Sequence, residues 1–166
     1  MHSYKTAYFA GGCFWCITPT YRQMPGVLDV ISGYSGGDEA DPTYADVKNQ
    51  NTGHRETIRI DYCSEQVSFA ELFQTFLAAV DPFDGGGQFI DRGYSYTLAV
   101  YYLTEDQRSV AEAAIQKLEA SSGRPVCISL EPFKSFYPAE EMHQDYYLKH
   151  PQEFQQELID SGRVRQ

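Results

Sequence analysis

Apolar and polar positions divide the chain into short blocks whose periods predict alternating strands and helices. Residues 7–10, Ala7-Tyr8-Phe9-Ala10, read as a short apolar strand. Residues 13–24 predict a helix that Pro19 kinks or restarts and that Pro25-Gly26 ends. Residues 27–34 alternate loosely and predict a second strand. Glu56-Thr57-Ile58-Arg59-Ile60-Asp61-Tyr62 alternates polar and apolar, the period of a half-buried third strand. Ser68-Phe69-Ala70-Glu71 is a capping box opening a helix to residue 80, with Phe69, Leu72, Phe73, Phe76, Leu77 and Val80 recurring at helical spacing. Residues 96–103 predict strand four, and Thr104-Glu105-Asp106-Gln107 opens a helix to residue 121 that Gly123 stops. Residues 126–130 are a fifth strand candidate, and 140–149 and 152–159 are short helix candidates. Two loops remain, 35–51 and 81–93, and loops this long in a compact domain usually carry function.

The order β-α-β-β-α-β matches the split βαβ motif. It predicts an α+β class with a ferredoxin-like βαββαβ core, an antiparallel sheet with helices on one face, long loops and extra C-terminal helices. The 166 residues, with no repeat or linker, suit a single domain over 1–166. The net charge of −10 argues against nucleic acid and anionic membranes as partners, since both require positive charge. Met1-His2-Ser3-Tyr4-Lys5 lacks the layout of a secretory signal, and no apolar run is long enough to span a bilayer. Four Cys without a disulfide-scaffold pattern point to a reducing, cytoplasmic setting.

The candidate chemistry centres on Gly11-Gly12-Cys13-Phe14-Trp15-Cys16, a strand-to-helix turn. A sulfur at a helix N-terminus meets unpaired N–H groups and the positive end of the dipole, so Cys13 is expected to ionise easily. Cys16 lies one helical turn on, within reach of a disulfide, and Phe14 and Trp15 can wall an apolar pocket. The alternative is a buried junction whose Cys residues are small hydrophobes. Glu56 is a candidate general acid if a pocket raises its pKa; spacing alone favours a surface carboxylate paired with Arg55 or Arg59. Tyr44, Asp91, Tyr94 and Tyr96 flank the two long loops. Cys63 and Cys127 read as buried packing residues, and no second Cys/His element completes a zinc site. His143 reads as a structural, hydrogen-bonded His. Gly85-Gly86-Gly87 lacks the residues that complete a phosphate loop.

These motifs resemble the A-type peptide methionine sulfoxide reductases. The resemblance runs over residues 6–150, through the Cys13 motif, Pro42-Thr43-Tyr44-Ala45-Asp46-Val47, Thr52-Gly53-His54-Arg55-Glu56, Gln88-Phe89-Ile90-Asp91-Arg92-Gly93 and Ala139-Glu140-Glu141-Met142-His143-Gln144-Asp145-Tyr146. It implies that Cys13 is the nucleophile, Glu56 the acid, Tyr44, Asp91 and Tyr96 the holders of the polar end of the substrate, and Phe14 and Trp15 those of its methyl group. It implies reduction of the S-epimer of methionine sulfoxide, free or in proteins, through a Cys13 sulfenic acid. A disulfide, here Cys13–Cys16, then forms and thioredoxin reduces it, with no metal or bound cofactor. Two departures stand out. Ser95-Tyr96-Thr97-Leu98 replaces the family's Gln-Tyr-Arg-Ser, and Cys16 stands where many members carry Gly and use tail Cys residues. The competing readings are a thioredoxin-like disulfide oxidoreductase, which leaves Tyr44, Glu56 and Asp91 unexplained, and a non-enzymatic redox-sensing or peptide-binding module that would bind methionine sulfoxide peptides without turnover.

Overall fold

The computed structural model describes residues 4–160. The helix face of the sheet is built by alternation. In β1 (Tyr4–Gly11), Ala7 and Phe9 point to one face and Tyr8 and Ala10 to the other, and all four are buried. In β3 (Arg55–Cys63), Ile58, Ile60 and Tyr62 join Phe9 in the main core. Three helices cover that face: α1 (Phe14–Arg22) through Phe14, Ile17 and Tyr21, α3 (Phe69–Ala79) through Phe69, Leu72, Phe73 and Phe76, and the helix Glu105–Ser122 through Ala111. Phe9 is the hub, its ring 5.0 Å from Phe76, 5.7 Å from Phe69 and 6.0 Å from Tyr21. Aromatic packing of this kind contributes beyond the area it buries.

The other elements are β2 (Val27–Ser35), α2 (Tyr44–Lys48), a two-stranded hairpin of β4 (Gly87–Gln88) and β5 (Asp91–Arg92), then β6 (Leu98–Tyr102), α4 (Glu105–Ser122), β7 (Ile128–Pro132), β8 (Phe136–Pro138), α5 (Tyr146–Lys149) and α6 (Pro151–Asp160). The main sheet runs β7-β6-β1-β3-β2-β8. All its pairings are antiparallel except β6 with β7. The class is therefore α+β, as expected, but the sheet is mixed rather than antiparallel. The reason is α4: a helix between two neighbouring strands returns the chain to the same end, so β7 must run parallel to β6. Thr104 caps α4 by accepting from the Gln107 N–H, and Gly123, at φ 69°, ends it. The Gln107 side chain does not close the expected box. It donates to Thr6 O and accepts from Leu103 N–H instead, fastening the start of α4 to β1.

Several boundaries differ from the expected ones. Tyr96 lies in a 3-10 turn, Tyr94–Tyr96, and strand β6 begins only at Leu98. The first long loop contains α2, opened by a Thr43/Asp46 capping box. The expected helix at 140–149 is broken into a 3-10 turn, Glu141–His143, and the four-residue α5. Strand β8 had no periodic signal, being three residues long. To reach it the chain crosses behind the sheet, where Phe133 stacks on Tyr8 at 4.4 Å and Phe136 lies 5.3 Å from the same ring. The back of the sheet is thus covered by chain, not helix. Met1–Ser3, part of the segment read for a signal, lie outside the described residues, and no helix among those described is long and apolar enough to cross a membrane.

Candidate active site

Strand β1 ends at Gly11, and Gly12, at φ 84°, turns the chain so that Cys13 becomes the N-cap of α1. On the neighbouring strand, Glu56 continues the row of Ile58 and Ile60 toward the same end of the sheet. Its side chain meets the first turn of α1: the Phe14 N–H donates to Glu56 Oε1 at 3.3 Å. Thiol and carboxyl therefore converge at one helix N-terminus, although 43 positions apart in the chain. Glu56 is 1% exposed and Cys13 5%.

Neither surface pairing of Glu56 forms. Arg55 points to the opposite face, where it donates to Glu131 at 2.6 Å, to the Tyr101 hydroxyl at 3.0 Å and to Thr97 Oγ1 at 2.8 Å. Arg59 pairs with Asp61 at 3.1 Å. Glu56 Oε2 is buried without a hydrogen bond. Burial raises the Glu56 pKa to about 8; the nearby Asp91 and Cys16 act in the same direction, while the Phe14 N–H and the Tyr96 hydroxyl oppose it. A carboxyl group in this environment is held as the neutral acid at pH 7.

Cys13 departs from expectation. Its pKa is raised, not lowered: the hydrogen bond it shares with the Cys16 thiol comes first, followed by burial and by the charges of Cys16, Glu56 and Asp91. The helix-end N–H that was to favour a thiolate is occupied by Glu56. The resting site accordingly holds thiols, and none of the four Cys is in a disulfide.

Beside the thiols stands an aromatic box. Trp15 stacks on Tyr44 at 5.7 Å and on His143 at 5.5 Å, Tyr44 and His143 lie 4.1 Å apart, and Phe14 is 6.2 Å from Tyr44 and 6.0 Å from His143. His143 is therefore no hydrogen-bonded structural His: it is 6% exposed, its Nδ1 has no partner, and burial lowers its pKa. Its Glu-Glu-Met-His motif was visible in the sequence, but its place as a wall was not. Glu140 fixes the box, accepting from the Tyr34 hydroxyl at 2.9 Å and from the Tyr44 N–H at 3.2 Å. Gln144 anchors the same segment to Ser32 through both its amide atoms.

The two long loops supply the remaining groups. Asp91 comes from the β4–β5 hairpin, which Arg92 ties to Asp84 and Gln88 ties to Asp81. Tyr96 is buried, and burial followed by Glu56, Tyr44, Asp91 and Cys13 raises its pKa. The structure thus gathers Cys13, Cys16, Phe14, Trp15, Tyr44, Glu56, Asp91 and Tyr96 at one end of the sheet. Cys63 and Cys127 stand apart, the first buried as the last residue of β3 and the second donating to Phe83 O at 3.5 Å. Tyr94 lies outside the pocket, its ring under the Arg55 guanidinium at 4.5 Å. Among the described residues no cluster of three or more His, Cys, Asp or Glu is arranged to hold a metal.

Comparisons with known proteins agree with one another. A family model described as "Peptide methionine sulfoxide reductase" matches residues 5–166. A peptide methionine sulfoxide reductase MsrA of Bacillus licheniformis is 43% identical over 161 residues, covering 96% of this chain and 89% of its own length. The reduced form of Mxr1 from Saccharomyces cerevisiae superposes with a TM-score of 0.83 at 28% identity, over 90% of this chain and 87% of that one. Mxr1 solved in complex with Trx2 gives 0.57 at 19% identity over 86% of this chain and 84% of that one, a likeness of fold.

Proposed function

This chain belongs to the peptide methionine sulfoxide reductase family, and we propose that its site reduces the S-epimer of methionine sulfoxide, free or in proteins. The observation that carries the assignment of roles is the buried, neutral Glu56 beside the Cys13 thiol, with Oε2 unpartnered. A sulfoxide oxygen leaves only when protonated, and a carboxylic acid with a pKa of about 8 carries the necessary proton at pH 7. Tyr44, Asp91 and Tyr96 hold the polar end of the substrate, and Phe14 and Trp15 receive its methyl group. Glu56 protonates the oxygen while the Cys13 sulfur attacks the substrate sulfur. The S–O bond of the substrate breaks, its oxygen passes as hydroxyl to the Cys13 sulfur, and the transient bond between the two sulfurs breaks; the products are methionine and a Cys13 sulfenic acid, the Cys13 proton restoring neutral Glu56. The Cys16 thiol then displaces hydroxide from the sulfenic sulfur, giving a Cys13–Cys16 disulfide and water. Two thiols and one sulfoxide thus yield one disulfide, one sulfide and one water.

A dithiol protein must return the electrons. We assign this to thioredoxin, in keeping with the yeast neighbour solved with Trx2. We also read the four strands β6-β1-β3-β2 as a ferredoxin-like core, residues 1–166 as one domain, and the compartment as cytoplasmic from four Cys that form no disulfide. A thioredoxin-like oxidoreductase fits less well. It gives no task to the buried, neutral Glu56 or to Tyr44 and Asp91 from the two long loops.

The test is consumption of the S-epimer of a methionine sulfoxide peptide with dithiothreitol. Wild type should turn over, and folded Cys13→Ser should lose turnover; near wild-type activity in that variant would overturn the assignment. After one turnover without reductant, mass spectrometry should find Cys13 joined to Cys16. Cys16→Ser should keep the first turnover and accumulate a trappable sulfenic acid. A Cys13 link to Cys63 or Cys127 would exclude Cys16 as the partner.

A further inference from the structure

Tyr96 sits between two residues that are gripped by different parts of the chain. Ser95 is buried; its N–H donates to Gln50 Oε1 at 3.0 Å, and its hydroxyl accepts from Gln50 Nε2 at 2.8 Å. Gln50 stands at the end of the first long loop, at φ 63°, and its Nε2 also donates to Lys48 O at 3.0 Å. Gly93 makes room for it: a Cβ there would lie 2.8 Å from Gln50 Cδ. Thr97, on the other side of Tyr96, accepts from Arg55 Nε at 2.8 Å and donates to Tyr94 O at 2.6 Å, closing the 3-10 turn. Arg55 is itself immobilised by Glu131, by the Tyr101 hydroxyl and by the Tyr94 ring.

We infer that Gln50 and Arg55 are positioning residues for the sulfoxide step, gripping Ser95 and Thr97 so that the Tyr96 hydroxyl is held against Glu56. The inference rests on the function proposed above and assigns a task to residues outside the pocket. The geometry also explains how Tyr96 is supported where the family's flanking Gln and Arg are replaced by Ser95 and Thr97. The phenol oxygen lies at the end of a long, stiff side chain, so a small rotation of the 3-10 turn becomes a large displacement at the reacting atoms. Misplacement of about 1 Å at such a position can cost roughly 100-fold in rate.

Arg55 is a buried cation whose removal would strand Glu131, so the bracket is tested at its lighter members. Single-turnover sulfoxide reduction is measured without recycling reductant in Thr97→Val, Thr97→Ser and Gln50→Ala, each with Tyr96 intact and in Tyr96→Phe. Thr97→Val keeps the shape and removes the hydroxyl; Thr97→Ser keeps the hydroxyl. With Tyr96 intact, Thr97→Val and Gln50→Ala should each slow the step by about 3- to 30-fold, and Thr97→Ser should stay within about twofold of wild type. In Tyr96→Phe the same substitutions should change the rate by less than about twofold, because the hydroxyl they position is gone. Equal losses in both backgrounds would mark the bonds as merely structural and overturn the inference. So would a Thr97→Ser as slow as Thr97→Val, no loss with Tyr96 intact, or a Tyr96→Phe as fast as wild type. If wild type itself reduced no sulfoxide, the proposed function would fail first and take the bracket with it.

Discussion

Glu56 does two opposed things to this protein. Burial holds its pKa at about 8 against an ordinary 4.5. The proton it donates is present below about pH 8 and lost above, so single-turnover rate should fall as pH rises through that value. Glu56→Gln should slow the step by roughly 10²- to 10⁴-fold and abolish that limb of the profile. The effect on stability has the opposite sense. Between 4.5 and about 8 the unfolded chain releases the Glu56 proton and the folded chain keeps it, so stability declines as pH rises through this window. Glu56→Gln, which cannot ionise, should therefore melt higher than wild type at pH 8, by an amount on the order of a few kcal/mol. Equal melting temperatures at pH 8 would show that the carboxyl is not held neutral. Part of this was legible in the sequence. Strict alternation in residues 56–62 already places Arg55 and Arg59 on the face opposite Glu56, which removes both pairings that spacing had favoured. The raised pKa of Cys13 was not legible, because it depends on a carboxyl from another strand taking the helix-end N–H.

The pocket is assembled from the ends of elements, and those ends were the hardest part to read. Strands β1 and β3 and helices α3 and α4 carry long periodic patterns and lie close to where periodicity puts them. The short pieces α2, β4, β5 and β8 have too few residues to show a period, and three-dimensional contacts decide them. Strand β8 matters most, because the Glu140 and His143 segment follows it directly. Its pairing with β2 depends on Gly33: a Cβ there would lie 2.5 Å from both the Tyr137 carbonyl oxygen and the Phe136 ring. Since one of those atoms is backbone, a side chain can be accommodated only by shifting the strand. Gly33→Ala should thus destabilise the fold by about 1–3 kcal/mol and, by loosening the aromatic box, raise KM about threefold or more. Thermal melting and steady-state kinetics on the same sample check both, and an unaltered Tm with an unaltered KM would show that β8 does not govern the pocket.

The molecule as a whole keeps its redox pair local. Cys13 and Cys16 belong to the same turn of α1, and their backbones are already joined by the Cys16 N–H to Cys13 O bond of 3.1 Å. Closing a disulfide there asks nothing of the sheet or of the C-terminal segment. The reduced protein and the protein oxidised by one turnover should therefore have the same hydrodynamic radius in gel filtration and scattering. A measurable expansion would mean that another thiol has been recruited. The chain's path behind the sheet has a different consequence, one of timing. Nucleophile, acid and most of the core belong to the first 102 residues, but the segment that crosses the back, pairs as β8 and walls the pocket with His143 comes after residue 132. On the ribosome, a nascent chain can bring Cys13 and Glu56 together well before the aromatic box exists. During that interval the thiols lack the His143 wall, so the emerging polypeptide is open to oxidants at a sulfur, that of Cys13, which the finished protein buries.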